Sequence, residues 1–323
     1  MLIKSNSAVL RRENTRPKIK NTFFQDLKKY RVLILMLIPA IAYYIIFNYI
    51  PMGGSVLAFK NFNYRDGILG SPWVGFKNFT FFFQSGVAFK VTRNTILYNA
   101  SFLIVDTVLQ LTVAIIIAEL VNKYFKKVVQ SFLFFPYFVS WVIVGAFIYN
   151  IFNFEHGMLN SILEAVGISP VNAYSTPGMW KYILLFFRAW KNVGYGSVVY
   201  LAAITGIDSE IYEAAKIDGA NIMQRIKNIT IPCLIPTVII LTLLAVGTIF
   251  VGDFSMFYQI VGDNGMLFDA TDVIDTFVFR SLLRSQEVGM AAAIGLYQSV
   301  LCFTFVMVTN FLVKKVDPDS ALF

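Results

Sequence analysis

The chain has 323 residues, of which 57% are hydrophobic and only 14% charged, with a mean hydropathy of +0.65 and a formal net charge of +8. Soluble domains carry roughly 25% charged residues, so a polypeptide this apolar cannot cover itself with a water-facing surface, and a soluble globular fold is excluded. A single histidine, His156, and two cysteines in or beside apolar stretches, Cys233 and Cys302, exclude a zinc centre and a disulfide framework.

The basic excess is not the footprint of a nucleic-acid binder, because nine of the 27 Lys/Arg crowd into residues 1–31. That stretch is long and polar for the n-region of a signal peptide, and the apolar run behind it reaches Ile50 without a small-residue cleavage pattern. It reads as a retained cytoplasmic tail before a first membrane anchor. A spanning helix needs about 20 mostly apolar residues. Six segments meet this: 32–50, 94–120, 128–152, 180–204, 233–256 and 291–313. The fourth is the weakest, interrupted by Lys181, Arg188 and Lys191.

Between these spans, residues 51–93 are rich in Gly, Asn and aromatics and read as a folded flap at the membrane surface. Residues 153–179 read as a short interfacial helix and a turn. With the N-terminus inside, segments 1–31, 121–130, 205–230 and the tail from 314 hold 17 Lys/Arg, against seven in the outside loops 51–93 and 257–290. The positive-inside rule therefore predicts a multi-pass membrane protein with both termini cytoplasmic. Its parts are a basic tail 1–31, a six-helix membrane body 32–313 and a short tail 314–323.

The longest interior cytoplasmic loop, 205–232, has its own local order. Asp208 or Ser209 can N-cap a helix, with Glu210 and Glu213 at its positive end. Gly219 can end that helix with positive φ. A second helix is expected over about 221–228, with Pro232 ahead of the fifth span. Small and apolar side chains at Ile211, Ala214, Ala215 and Ile217 suit another protein's groove.

These residues carry a resemblance. Glu213-Ala214-Ala215, then Asp218-Gly219-Ala220, Ile229 and Pro232, resemble the EAA loop of binding-protein-dependent ABC importer permeases, in the form typical of the carbohydrate branch. Ile231 stands where that family usually has Leu, which keeps the apolar character. Residues 94–108, 133–141 and 190–203 also resemble permeases of the maltose and multiple-sugar type. The resemblance implies an all-α integral membrane fold, the six-helix type I ABC importer (MetI-like) architecture. It implies that Glu213, Ala214, Ala215, Asp218, Gly219, Ile229 and Pro232 form the coupling segment that docks into a cytoplasmic ATPase. It implies as partners a second, related permease, two ATPase subunits, an extracytoplasmic solute-binding protein and membrane lipid.

No G-x-x-x-x-G-K-[ST] phosphate loop occurs in the chain, so ATP and Mg belong to partner subunits. No nucleophile set assembles around one histidine, and no cofactor is expected here.

At membrane depth, Arg188, Lys191, Asn192 and Tyr195 recur at i, i+3, i+4 and i+7, with Trp190 beside them. Ionisable groups within a span usually face a bundle interior or a cavity. Aromatic faces can stack on pyranose C–H surfaces, while Arg, Lys and Asn bond hydroxyls or carboxylates. The family resemblance places this stretch, and Val246, Ile249, Phe250 and Asp253, at sugar-contacting positions. Basic residues at 188 and 191 depart from a neutral maltose pattern and leave room for an acidic oligosaccharide. The competing expectation pairs Arg188 and Lys191 with Asp106 or Asp253 to hold the bundle together. Other cargoes (an amino acid, a peptide, a polyol) and a stand-alone secondary transporter using Asp106 are the rival functions.

Overall fold

The computed structural model describes residues 29–316. The expected tails therefore lie outside the described residues except for 29–31 and 314–316. The chain divides into two units, Met1–Gly54 and Ser55–Phe323. In the first, α1 (Arg31–Tyr44) runs through a π turn, Ile45–Tyr49, into a last helical turn, Ile50–Met52. Its apolar side chains, from Val32 to Ile50, are largely exposed.

The second unit is mainly helical over its described residues. Among the described residues the extended structure amounts to one isolated antiparallel bridge, Lys60 with Trp73. That bridge sits in the flap ahead of α2 (Lys77–Gln84). The flap is folded around a buried cation: Lys60 Nζ donates to the carbonyls of Ile68 and Leu69 at 2.9 and 2.8 Å. Asn78 Nδ2 ties the flap back through the carbonyls of Ala58 and Lys60.

Then follow α3 (Val87–Glu119), α4 (Lys123–Phe138), α5 (Trp141–Phe152) and α6 (Met158–Ala165). Next come α7 (Pro177–Thr205), α8 (Ser209–Ile217) and the single turn α9 (Ile222–Arg225). The unit ends with α10 (Ile231–Val246), α11 (Phe254–Val261), α12 (Ile274–Leu283) and α13 (Val288–Val316).

Among the described residues, four helical stretches are long and apolar enough to cross a membrane, or five if α4 and α5 count as one span. The 29-residue α7 is as long as α13 but is not one of these stretches, because Arg188, Lys191 and Asn192 in its middle keep it less apolar.

Two expected spans are differently built. The segment 128–152 is not one rod, because α4 and α5 meet at 91°. Pro136 cannot donate a helical hydrogen bond, Val139 turns extended, and Ser140 Oγ accepts the Ile143 N–H to start α5 afresh. The segment 233–256 is helical only to Val246, and α11 starts anew after Asp253, which N-caps it by accepting the Met256 N–H at 3.0 Å. The linking turn has its polar backbone satisfied from three helices. Asn99 donates to the carbonyls of Ile249 and Val251, Gln298 to that of Phe250, and Asp275 accepts the Gly252 N–H.

The packing centres on α7. Trp180, Ile183 and Leu184 pack with Tyr98 and Phe102 of α3, Val144 and Ile148 of α5, and Met256, Phe257 and Ile260 of α11. Further along, Tyr200, Leu201 and Ile204 pack with Ala114 and Ile117 of α3 and Leu234 of α10. The helices α7 and α4 meet at glycine. A Cβ at Gly194 would sit on the Leu133 carbonyl and the Phe134 nitrogen, backbone atoms that cannot step aside, whereas one at Gly196 would meet the flexible end of Gln110. Overpacking of this kind typically costs 1–3 kcal/mol. Gly194→Ala is therefore expected to cost about 2–3 kcal/mol and Gly196→Ala less than about 1 kcal/mol, a difference read from melting temperatures in detergent.

Candidate functional site

A cavity of about 410 Å³ opens between α3, α7 and the end of α10 with its following turn. Asn99, Asp106 and Gln110 reach it from α3, Arg188, Tyr195 and Tyr200 from α7, and Thr248, Ile249 and Asp253 from the turn. Its electrostatic centre is a guanidinium between two carboxylates. Arg188 Nη1 lies 3.1 Å from Asp253 Oδ2, and Nε lies 3.6 Å from Asp106 Oδ2. The guanidinium also rests on the Phe102 ring, 4.7 Å from its centroid. Asp253 serves twice, since one oxygen takes Arg188 and the other caps α11. Asp106 Oδ1 is buried and accepts no hydrogen bond.

The stripe expected on α7 is divided by the structure. Arg188, Tyr195, Ile249 and Asp253 line the cavity; Trp190, Lys191, Asn192, Val246 and Phe250 are not among its lining residues. Lys191 is turned toward the α4–α5 corner, where Nζ donates to the carbonyls of Pro136 (3.3 Å), Tyr137 (2.7 Å) and Val139. Asn192 donates to the Arg188 carbonyl one turn back, at 3.1 Å. Trp190 is half-exposed, with its ring edge-on to Phe187. Val246 ends α10, and buried Phe250 packs edge-on against Phe305. Tyr195 stacks on Tyr137, their centroids 4.4 Å apart and planes 10° apart.

Arg188 thus pairs with both of its expected partners, and Lys191 bonds carbonyls instead. On α3 the sequence singles out Asp106, with Gln110 one turn on, and the structure adds Asn99. A signal existed, because Asn99, Asp106 and Gln110 fall at i, i+7 and i+11 on one face of an otherwise apolar helix. Behind the turn, Asp275 accepts the Gly252 N–H (2.5 Å) and the Gln298 amide (3.0 Å). Burial nevertheless pushes its carboxyl above the usual range, outweighing those hydrogen bonds.

At the far end of α7 stands the loop expected to couple to an ATPase. Asp208 caps α8 by accepting the Glu210 N–H at 3.0 Å. Gly219 takes φ +80°, the left-handed turn that ends the helix. Asn221 and Gln224 then form a reciprocal capping box. The second helix was expected to run to about 228 and stop before Pro232. Instead α9 passes through a π turn, Ile226–Thr230, directly into α10. Pro232 directly follows that π turn, where the widened hydrogen-bond ladder accommodates its missing N–H. Glu213, Ala214, Asp218, Gly219 and Pro232 are exposed, while Ala215 and Ile229 are half-buried. Ile217 and Met223 project from the tip, 87% and 72% exposed, as an uncovered apolar surface.

Comparison with known proteins places this architecture. Residues 110–318 match the family model of the binding-protein-dependent transport system inner membrane component. Protein LplB of Bacillus subtilis is 30% identical over 294 residues, which are 91% of this chain and 92% of the relative. The polygalacturonan/rhamnogalacturonan transport system permease protein YteP of the same bacterium is 29% identical over 313 residues, 94% of this chain and 97% of the relative. Among solved structures, a chain from the bacterial alginate ABC transporter in complex with alginate pentasaccharide-bound periplasmic protein has a TM-score of 0.82 at 29% identity, covering 92% of this chain and 98% of that one. From residue 110 of α3 onward the match takes in the α7 and α10 sides of the cavity, the 205–232 loop and every later helix, and the chain belongs to the binding-protein-dependent transport system inner membrane components.

Proposed function

We propose that this chain is the membrane-spanning subunit of an ATP-driven importer for an oligosaccharide. It pairs with a second permease, two cytoplasmic ATPase subunits that bind ATP and Mg, and an extracytoplasmic solute-binding protein. Both termini and the 205–232 loop face the cytoplasm. The ATPases grip the exposed segment from Glu213 to Gly219, and their closure tilts the helices so that the cavity changes sides, a rigid-body transition between two states.

The observation that carries the cargo assignment is the character of the cavity. Beside the Arg188–Asp106–Asp253 cluster it presents the amide of Gln110, the hydroxyl of Thr248 and the exposed ring of Tyr195. Such a surface suits hydroxyl-rich, C–H-faced rings. The relatives support this cargo class, one by its name and the other by a bound alginate pentasaccharide on its periplasmic partner. Arg188 is already opposed by two carboxylates within the chain and Lys191 is turned away from the cavity. Recognition on this side of the cavity thus runs through hydroxyls, whether or not the glycan is acidic.

The test is the whole importer in proteoliposomes, challenged with binding protein and a panel of neutral and uronate oligosaccharides, amino acids and peptides. Stimulated ATP hydrolysis with an oligosaccharide is expected. Stimulation by an amino acid or peptide alone would overturn the cargo. Failure of the chain to co-purify with any ATPase would overturn the importer. Glu213→Lys is expected to reduce uptake at least about 100-fold, in the upper range of coupling energies.

A further inference from the structure

We infer that the ion pair between Glu119 and Arg225 is the joint through which movement of the coupling segment reaches α3, an inference that rests on the importer assignment above. Chain connectivity alone carries a displacement of α8 and α9 into α10, because α9 runs into α10 without a break. That path crosses the π turn Ile226–Thr230, where an extra residue widens the helix and loosens its hydrogen-bond ladder. Arg225 stands on the coupling side of this compliant turn.

Arg225 Nη2 lies 3.6 Å from Oε2 of Glu119, the last residue of α3. The Arg225 side chain is 12% exposed and that of Glu119 32%, so the attraction is only partly screened by water. A second tie, Tyr212 hydroxyl to Thr230 Oγ1 at 2.9 Å, binds α8 to the foot of α10. The segment is thus fastened to two helices by two different contacts.

Those two helices are walls of the cavity. Asp106 and Gln110 stand on α3, Leu241 and Ala245 on α10. From Glu119 to Asp106 the helix is a rod of about 20 Å, at 1.5 Å per residue. With the ion pair closed, a pull on α8 reaches α3 directly; with it open, the pull reaches α7 and α10 along the chain and through the Tyr212–Thr230 contact, and α3 only through packing. The contact has room to re-seat during such a stroke. A cavity of about 420 Å³ lies at the joint, bounded by Glu119, Tyr212, Lys216 and Arg225. The buried Arg225 Nε has no hydrogen-bond partner, so the guanidinium is held by charge and not by a fixed fork of hydrogen bonds.

Glu119 and Arg225 are positioning residues, and the readout that separates this from simple structural support is uptake per ATP hydrolysed. In the reconstituted importer, Glu119→Arg is expected to lower that ratio about tenfold, within the range of coupling energies. ATP hydrolysis should stay within about twofold and the ATPase subunits should still co-purify. Glu119→Arg combined with Arg225→Glu is expected to restore at least about half of the ratio, since the pair is re-formed with its sign exchanged. Glu119→Gln keeps the size and removes the charge, and is expected to lower the ratio about threefold. It decides the matter should the reversed charge fail to accumulate in the membrane. An unchanged ratio in the single variants, or a double reversal no better than Glu119→Arg, overturns the inference and leaves the importer assignment standing. Absence of ATPase from the unaltered complex would strike that assignment instead.

Discussion

Arg188→Leu is expected to destabilise the folded chain by about 3–5 kcal/mol, the usual cost of removing one partner from a buried ion pair. The reason is the pair of carboxylates it leaves behind. Asp106 and Asp253 are 15% and 27% exposed, and Arg188 is the cation recorded opposite both. Without it, Asp106 keeps a buried oxygen that already lacks a partner, and Asp253 must cap α11 with its paired cation gone. Arg188→Lys should recover only part of the loss, because a single ammonium cannot hold the two positions that Nη1 and Nε occupy.

Adding Asp106→Asn and Asp253→Asn to Arg188→Leu should recover most of the melting temperature but little of the uptake, since the cavity then loses its whole polar centre. Unfolding in detergent followed by fluorescence, with uptake in proteoliposomes, separates the two effects. If Arg188→Leu melts like the unaltered chain, the three charges are solvated and the cluster does not hold the helices.

Much of this organisation is written in the chain because its causes are local. The spans follow from runs of apolar residues long enough for a bilayer, and α8 and the following turn from Asp208, Gly219 and the Asn221–Gln224 box. Each of those is set by neighbours within four residues. The breaks were harder to read, because helix and non-helix look alike in apolar sequence. Residues 247–253 leave the helix since Asn99, Asp275 and Gln298 offer their backbone groups other partners, and those residues lie 23 or more positions away. The corner after Phe138 had a visible cause in Pro136, but the cation that completes it comes from Lys191 on another helix.

The site divides in the same way. Periodicity put Arg188, Lys191, Asn192 and Tyr195 on one stripe of α7, yet such a stripe is broad enough to touch α3 on one flank and α4 on the other. Which flank each side chain serves is decided by packing, above all by Gly194, which lets the α4 backbone come close. The polar face of α3 was legible by the same spacing rule and supplies a whole wall of the cavity.

Lys191→Met tests that division most sharply. The corner between α4 and α5 gathers the carbonyls of Pro136, Tyr137 and Val139 where a helix has just ended and its dipole is negative. The Lys191 side chain answers all three, and the Tyr137 and Trp141 rings face its ammonium with their centroids at 5.7 and 5.3 Å. Methionine fits the volume of the buried stem and supplies none of the donors. The Pro136 carbonyl keeps the Val139 N–H at 3.1 Å; the Tyr137 and Val139 carbonyls lose the ammonium, and at about 1–3 kcal/mol for each unsatisfied group a total near 4 kcal/mol is expected. Because the ammonium lies at the corner and outside the lining of the cavity, the loss should appear as less folded protein, a lower melting temperature and a lower maximal uptake per cell. The KM for the transported glycan should stay within about twofold of the unaltered importer, as it does when a change leaves substrate contacts alone. The opposite pattern, an unchanged melting temperature with KM raised about tenfold or more, would mean that Lys191 leaves the corner to meet cargo during the transport cycle, and that the α4–α5 bend stands without it.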